Sequence, residues 1–508
     1  MKRPSIRRRG FALIASGAML AATLATASGA SASTTAAEPP STPVPMAFPD
    51  GYLMSYVINT KATPGTVNAV EKAVARSGGV VVQSWPQIGV VVAQSDRAAF
   101  RAKMKTAVGS VVQSIGATRT AAVSEGTPDG IATPWRSGAR TAPKAKAKVG
   151  TGLDLVSDEQ AVTPDPREGE QWDMQQIKAD QAHQITDGSR DVVVGVLDSG
   201  IDPDHPDLQP NIDVADSVNC TNAGRPDLSP TGWYPTTSDH GTHVAGTIGA
   251  ARNGTGIVGV APNVRMASVK VVNDDGFIYP EYAVCGFMWA GLKGMDVTNN
   301  SYYVDPMEFW CNDQVDQAAV LEAVNRAVQW STKQGVVHAA AAGNSAYDLA
   351  NKTTNDSSPN DTTPIPRVIN NECYDIPTEL PGVVTTSATT RTEQLAYFSN
   401  RGLGVIDVAA PGRSILSTIV AGNGYGLKSG TSMASPHVAG VLALMKSAHP
   451  DLTPAQMVAK LKADARDVAC QPAETAPPGR TNGAPCVGSP SNNSYYGDGI
   501  IDALKAVS

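Results

Sequence analysis

The segment Val192–Leu208 has the sequence VVVGVLDSGIDPDHPDL, and its pattern decides the fold class. Its first half is a continuous run of small and β-branched apolar residues, which is typical of a strand buried on both faces of a parallel sheet. The run ends at Asp198, and open α/β sheets carry their chemistry at the carboxyl ends of strands. We therefore expect an α/β fold with a mainly parallel central sheet and helices on both faces. Taken alone, Asp198 is either a catalytic group or a turn former.

A second motif, Asp239–Gly246 (DHGTHVAG), places two histidines three residues apart at the start of an apolar helix. A metal pair is one interpretation, but the motif offers no third ligand. His240 precedes Gly241 and is expected to face a cleft. His243 is expected to point inward and to have a structural role.

A third motif, Gly430–Gly440 (GTSMASPHVAG), places Ser432 at the N-terminus of an apolar helix. There the hydroxyl lies beside free N–H groups and the positive end of the helix dipole. A plain N-cap serine is the alternative for this motif by itself.

The three motifs together predict nucleophilic catalysis. A serine hydroxyl needs a base within hydrogen-bond reach, and the base needs an orienting carboxylate. The chain order Asp198, His240, Ser432 is one of the known orders of this constellation. A further apolar run, Val336–Asn344 (VVHAAAAGN), predicts a second buried strand whose final Asn344 amide would donate to an oxyanion.

The motifs DSGID, HGTHVAG, AAAGN and GTSMASPHVAG resemble the signatures of the subtilisin-like serine proteases, the subtilase or S8 family, over residues 166–508. This resemblance implies that Asp198 orients His240, that His240 acts as base and then acid, and that Ser432 attacks the scissile carbonyl. Asn344 and the Ser432 N–H would form the oxyanion hole. The implied partners are protein or peptide substrates, without nucleic acid, and the enzyme is expected to be a monomer without an organic cofactor.

The resemblance also implies where substrate binds. The expected substrate-binding residues are Gly276, Phe277, Ile278, Ser301, Tyr302, Tyr303, Ala342 and Gly343. The family usually has Gly where Tyr303 stands, so this tyrosine is expected to reshape the pocket, and no preference for the residue before the cut is carried over. A narrow-specificity processing protease and a catalytically silent binding protein remain alternatives.

The front of the chain is predicted to direct export. Met1–Arg9 is basic, Phe11–Ala27 is apolar, and Ala30-Ser31-Ala32 has the form of a cleavage site, so residues 1–32 are interpreted as a secretory signal peptide. A membrane anchor is the alternative, and Arg8-Arg9 leaves Sec and twin-arginine export both open. The mature protein is expected to be extracellular and without a membrane segment.

Two linkers and a small domain follow. Residues 33–51 are Pro-rich and are interpreted as a flexible linker. Residues 52–123 have a strand–helix–strand–strand–helix–strand pattern, a small α+β arrangement that resembles the family's inhibitor I9-like propeptide. Residues 124–165 are interpreted as a linker with a possible processing site, and residues 166–508 as the peptidase domain.

The net charge differs in sign between the front of the chain and the predicted peptidase domain. Residues 1–166 carry 18 Lys or Arg and 10 Asp or Glu, a net charge of +8, whereas residues 167–508 carry 22 and 37, a net charge of −15. The whole-chain charge of −7 does not favour a nucleic-acid binder.

Six cysteines, all in the acidic part, predict disulfides in an exported protein. Sequence does not choose among the pairings. Cys470 with Cys486 is the best local candidate, and a bridge between Cys311 and Cys373 would brace regions that diverge from the family. The resemblance also implies a structural calcium ion at Asp207 and Asn253, with a surface Asp and a turn Asn as the alternative.

Overall fold

The computed structural model describes residues 38–129 and 163–508. The predicted signal peptide (1–32), the first residues of the linker at 33–51 and most of the linker at 124–165 lie outside these ranges. In the part of the chain that is described, no helix is both long and apolar enough to cross a membrane.

The described residues form both strands and helices. The strands are β1 (Met54–Thr60), β2 (Val80–Trp85), β3 (Val90–Ser95), β4 (Val112–Ala117), β5 (Val193–Asp198), β6 (Val218–Asn219), β7 (Arg265–Lys270), β8 (Val297–Asn300), β9 (Trp310–Cys311), β10 (Val337–Ala341), β11 (Thr354–Asn355), β12 (Arg367–Val368), β13 (Cys373–Tyr374), β14 (Val383–Thr389), β15 (Val408–Pro411), β16 (Ile415–Ile419), β17 (Gly424–Lys428), β18 (Gly488–Ser489) and β19 (Asn492–Asn493). The helices are α1 (Pro64–Arg76), α2 (Phe100–Val108), α3 (Trp172–Gln176), α4 (Ala179–Ala182), α5 (His240–Gly249), α6 (Pro280–Lys293), α7 (Val315–Lys333), α8 (Thr431–Ala448), α9 (Pro454–Asp464) and α10 (Ala503–Ala506).

The central sheet has seven strands in the order β15-β14-β10-β8-β5-β7-β6, and every neighbouring pair is parallel. Side chains of a strand alternate between the two faces. In β5, Val193 and Leu197 join the core under α6 and α7, whereas Val194 and Val196 join the core under α5 and α8. The run is apolar at every position because helices cover both faces, which confirms the predicted α/β class.

Residues 54–117 form a second, smaller sheet in the order β2-β3-β1-β4, with antiparallel pairs and two helices. The element order is the strand–helix–strand–strand–helix–strand pattern expected from sequence. This sheet packs against α7, where Asn59 Nδ2 donates to the Ala319 carbonyl at 2.8 Å. Gly116 lies so close to the Asp316 carbonyl that an added Cβ would collide with it. The backbones of β4 and α7 are therefore in direct contact.

Part of the segment at 33–51, which was predicted to be a flexible linker, is bound to the rest of the protein. Ser41 donates through its N–H (2.7 Å) and its hydroxyl (2.5 Å) to the Asp313 carboxylate. The Thr42 N–H donates to the Val368 carbonyl at 2.9 Å, and Met46 is buried. These bonds hold the segment from Ser41 to Met46 against the rest of the protein, although its composition alone favours a loose chain.

Three disulfides join the six cysteines: Cys220–Cys285, Cys311–Cys373 and Cys470–Cys486. The last two pairs are those proposed from sequence. Cys311–Cys373 links β9 to β13, which also pair as an antiparallel ladder.

Candidate active site

Asp198 ends β5, and His240 begins α5. The two Asp198 carboxylate oxygens lie 2.8 and 3.0 Å from His240 Nδ1. Because a carboxylate accepts hydrogen bonds, Nδ1 carries the proton in the neutral ring and Nε2 keeps its lone pair. Gly241 permits this approach, since a Cβ there would lie only 3.1 Å from Asp198 Oδ1. The close packing of helix start on strand end thus orients the imidazole.

Ser432 lies in the first turn of α8, beside the free N–H groups of the helix start. Its hydroxyl donates to the Ser301 carbonyl at 3.3 Å, and the Ser301 hydroxyl donates to the Ser432 carbonyl at 2.9 Å. This reciprocal pair joins α8 to the end of β8. The long bond of the Ser432 hydroxyl is weak, so the hydroxyl is free to turn towards a base when substrate binds.

Asn344 follows β10 and faces the same site. Its Oδ1 accepts from the Thr431 N–H at 2.8 Å and from the Thr431 hydroxyl at 3.0 Å. Two donors at one atom identify that atom as the amide oxygen, so the other atom is Nδ2, which has no acceptor among the residues that the structure describes. The hydrogen bonds therefore orient the Asn344 amide with its N–H groups available to a ligand.

These side chains line one cavity of about 420 Å³. Its walls contain the three predicted catalytic residues, Asn344, and the predicted substrate residues Gly276, Phe277, Ile278, Ser301, Tyr302, Tyr303 and Gly343. Ala342 is not among the residues that line this cavity; it is buried, and its carbonyl accepts from Asn400 Nδ2 at 2.8 Å. Every residue that lines the cavity belongs to the part of the chain from Asp198 to Ser432.

Sequence reasoning missed three further acidic residues of this cavity, Asp305, Glu308 and Asp375, together with Asn360. The usable signal was the acidic pair in VDPMEF, which interrupts an apolar segment directly after Tyr303. Acidic residues are rarely buried without a specific partner. No comparable pattern marks Asp375, which comes from a distant loop.

The electrostatics around His240 favour a strong base. Burial opposes protonation of the ring, but the Asp198 charge and its hydrogen bond outweigh burial and raise the pKa of His240 above its ordinary value. His243 lies one turn away and differs, since its Nε2 contacts the carbonyls of Ile415 and Gly426 at 3.1 Å each. Burial lowers the pKa of His243 to about 4, so this ring is neutral and fastens α5 to the β16–β17 hairpin.

The predicted calcium pair comes together, but with the wrong partners for a cation. Asp207 is buried and accepts hydrogen bonds from the Thr255 hydroxyl (2.9 Å), the Ile257 N–H (3.1 Å) and the Tyr425 hydroxyl (2.9 Å). Asn253 turns its Nδ2 towards the Pro206 carbonyl at 3.1 Å. Calcium requires six to eight oxygen acceptors, whereas donors surround this carboxylate. The set as placed does not fit the ion.

Comparison with known proteins shows the family to which this sequence belongs. The subtilase family model of S8 peptidases matches residues 189–499. Subtilisin E of Bacillus subtilis (strain 168) is 33% identical over 335 residues, which is 66% of this chain and 70% of that protein. Subtilisin of Bacillus pumilus is 35% identical over 335 residues, which is 66% of this chain and 98% of that protein.

Among solved structures, the epidermin leader peptide processing serine protease of Staphylococcus aureus is similar in fold, with a TM-score of 0.60 at 21% identity over 90% of this chain and 98% of that chain. The family match extends over the whole parallel sheet and all four motifs. The chain therefore belongs to the subtilase family and is a serine-type endopeptidase.

Proposed function

We propose that the protein hydrolyses peptide bonds through a triad of Asp198, His240 and Ser432. The observation that carries this proposal is the 2.8 Å contact between Asp198 and His240 Nδ1, in the same cavity as Ser432 and Asn344. The Ser432 oxygen attacks the scissile carbonyl carbon, and its proton moves to His240 Nε2. The Asp198 carboxylate stabilises the imidazolium that forms.

The negative charge then develops on the carbonyl oxygen. Asn344 Nδ2 and the Ser432 N–H donate to it, and these donors need no reorganisation because the Thr431 bonds already hold the Asn344 amide. His240 returns the proton to the leaving amine, and an acyl group remains on Ser432. Water, deprotonated by His240, hydrolyses this ester and restores the serine.

Asn344→Asp tests the oxyanion role. Aspartate keeps the oxygen that accepts from Thr431, but it replaces the Nδ2 donor with a second acceptor. We expect kcat on a chromogenic peptide to fall by about 10²–10³-fold with little change in KM, the range found for such a donor in subtilisin. Asn351→Asp, an exposed change in the same polar stretch, is the control. Unchanged kcat in Asn344→Asp would remove Asn344 from the mechanism.

The donors around Asp207 predict that stability does not depend on a calcium ion at this position. We expect the melting temperature in a chelator to lie within about 1 °C of its value in millimolar calcium, because an ion that does not bind the native state cannot stabilise it. Differential scanning calorimetry measures this directly. A loss of about 5 °C or more in the chelator would contradict this prediction.

We further propose that the enzyme is exported as a precursor and that residues 52–123 form a propeptide that assists folding and inhibits the enzyme. The support is the apolar N-terminal run, the three disulfides and the packing of β4 on α7. Arg119 is buried at the contact between the two parts, where it pairs with Glu125 at 2.9 Å and with Glu281 on α6. Its guanidinium lies 3.6 Å from the centre of the Tyr279 ring.

Arg119→Ala should weaken this contact strongly. The change leaves Glu281, which is fully buried, without its cation, and breaking a buried pair from one side costs about 3–5 kcal/mol. We expect a matching loss in the free energy of unfolding, measured by urea denaturation of the uncut precursor that also carries Ser432→Ala. Arg97→Ala is the control, because Arg97 is exposed and its ion pair within the described part of the chain is with its neighbour Asp96. Equal stability of the two variants would argue against an energetic role for Arg119.

A narrow-specificity processing protease is the second candidate. Tyr303, where the family usually has Gly, and the buried acids beside it favour this alternative because they restrict what the cavity accepts. Cleavage of a random peptide library by the mature enzyme separates broad from narrow specificity.

A further inference from the structure

The hydrolytic mechanism uses Asp198 but not the other three acidic residues of the cavity, Asp305, Glu308 and Asp375. Tyr303 and these three acids line the same cavity, and burial, followed by the charges of Asp305, Glu308 and Asp375, raises the pKa of Tyr303. Asn360 Nδ2 donates to the Tyr303 hydroxyl at 3.0 Å and to Asp305 Oδ1 at 2.6 Å. The acids therefore share the cavity with the side chain that replaces the family's glycine in the substrate wall.

Two of the three acids have their partners within the protein. Asp305 Oδ2 accepts from the Ile278 N–H at 2.6 Å, in addition to the Asn360 amide. Glu308 accepts from three side chains, which belong to Ser345 (2.9 Å), Asn355 (3.0 Å) and Ser357 (2.6 Å). Because the protein itself supplies hydrogen-bond donors to the carboxyls of Asp305 and Glu308, neither carboxyl needs a ligand as its partner.

Asp375 differs from the other two. Asp375 is 1% exposed. Its Oδ1 atom is buried and receives no hydrogen bond from any residue that the structure describes. A buried polar atom without a partner is costly and calls for an explanation, such as an absent ligand. Asp375 still lines the cavity, so a ligand that enters the cavity can reach its carboxyl group.

The loop around Asp375 is firmly placed. It follows β13, which the Cys311–Cys373 disulfide joins to β9, and the Asp375 N–H donates to Glu379 Oε2 at 2.7 Å. Asp375 Oδ2 lies 3.4 Å from the position that a Cβ on Gly343 would take. Gly343 directly precedes Asn344, the proposed oxyanion donor. The Asp375 carboxyl therefore lies against the part of the cavity wall that Gly343 forms.

Among the residues that the structure describes, no cation forms an ion pair with Asp375. Lys352 is the cation whose charge acts on it, but its Nζ is bound to Glu379 Oε1 at 2.6 Å and to the Leu349 carbonyl at 2.7 Å. Burial, followed by the charges of Glu379 and Glu308, raises the pKa of Asp375 well above its usual range. A carboxyl in this environment holds a proton until a cation arrives to pair with it.

We propose that Asp375 determines specificity and that the cavity takes the side chain of a lysine or arginine immediately before the cleaved bond. The inference rests on the proposed hydrolysis at Ser432. An acid inside the corresponding pocket of a serine protease selects basic residues in this way. The methylene stem would lie along Tyr303, and the charged end would replace the missing partner of Asp375.

Peptides that differ only in this residue test the proposal. The mature enzyme should cleave after lysine or arginine with a kcat/KM about 10²-fold or more above that for norleucine, because the uncharged analogue leaves the carboxyl unpaired. Asp375→Asn should lower kcat/KM after lysine by about 10²-fold and change the norleucine value by less than about threefold. Glu372→Gln, an exposed change in the same loop, should change neither.

Two further measurements separate the possible failures. Labelling by a fluorophosphonate reports the nucleophile independently of specificity, so a wild-type enzyme that is not labelled refutes the proposed function itself. Normal labelling with equal cleavage after lysine and norleucine, or with equal losses for both in Asp375→Asn, overturns only this inference. If Asp375→Asn does not fold, wild-type inhibition decides: benzamidine should bind about tenfold or more tightly than neutral benzamide, and equal binding would contradict the proposal.

Discussion

Ser432→Ala is expected to lower kcat by about 10⁶-fold, the size of the loss measured in subtilisin when its triad serine is removed. The variant keeps the helix start and the oxyanion donors, but it has no oxygen to form the acyl-enzyme. The small remaining rate comes from binding and from the Asn344 amide, so KM should stay close to its wild-type value.

The readout is steady-state hydrolysis of a chromogenic peptide by protein freed from its propeptide with an added protease. Ser447→Ala is the matched control, since Ser447 lies near the other end of α8 and donates to the Ala443 carbonyl. A Ser432→Ala enzyme with more than about one per cent of wild-type kcat would place the nucleophile elsewhere.

Asp198→Asn is expected to lower kcat by about 10⁴-fold at neutral pH, as the same exchange does in another triad protease. An amide at this position offers an N–H to His240 Nδ1 and so favours the tautomer with its proton on Nε2, which cannot accept from serine. Geometry is preserved, because asparagine has nearly the shape of aspartate. The loss therefore reports the charge and the tautomer.

The pH profile gives this prediction a second readout. In the wild type, the Asp198 charge raises the pKa of His240 despite burial, and only the neutral ring acts as a base. Activity should thus fall as the pH drops through a value above the ordinary histidine pKa of about 6.5. In Asp198→Asn the charge is gone and burial still favours the neutral ring, so the acid limb should move to lower pH. If the loss of activity at low pH occurs at the same pH in Asp198→Asn as in the wild type, a group other than His240 controls it.

Features that depend on neighbouring residues in the sequence could be predicted, whereas features that depend on contacts between distant residues could not. The β5 run and its terminal Asp198 follow from local pattern, because a strand covered on both faces must be apolar at every position. The segment from Ser41 to Met46 has the composition of a loose linker, and only its distant partner Asp313 holds it in place.

The same limit applies to the site. Asp198, His240, Ser432 and Asn344 lie in short motifs with their own helix starts and strand ends, so their positions can be anticipated from sequence. Asp375 cannot, because its neighbours Gly343 and Glu308 come from other loops, and its missing hydrogen bond is visible only in three dimensions. For Asp207 the carboxylate was predicted, but the donors that surround it were not.

The most direct test of the triad proposal is to locate the adduct of a fluorophosphonate by mass spectrometry of the mature protein. The proposal predicts a single modified residue, Ser432, whose labelling is fast in the wild type and slowed by about 10⁴-fold or more in His240→Ala, since the hydroxyl then has no base. An adduct on another residue, or labelling of Ser432 that is independent of His240, would contradict it.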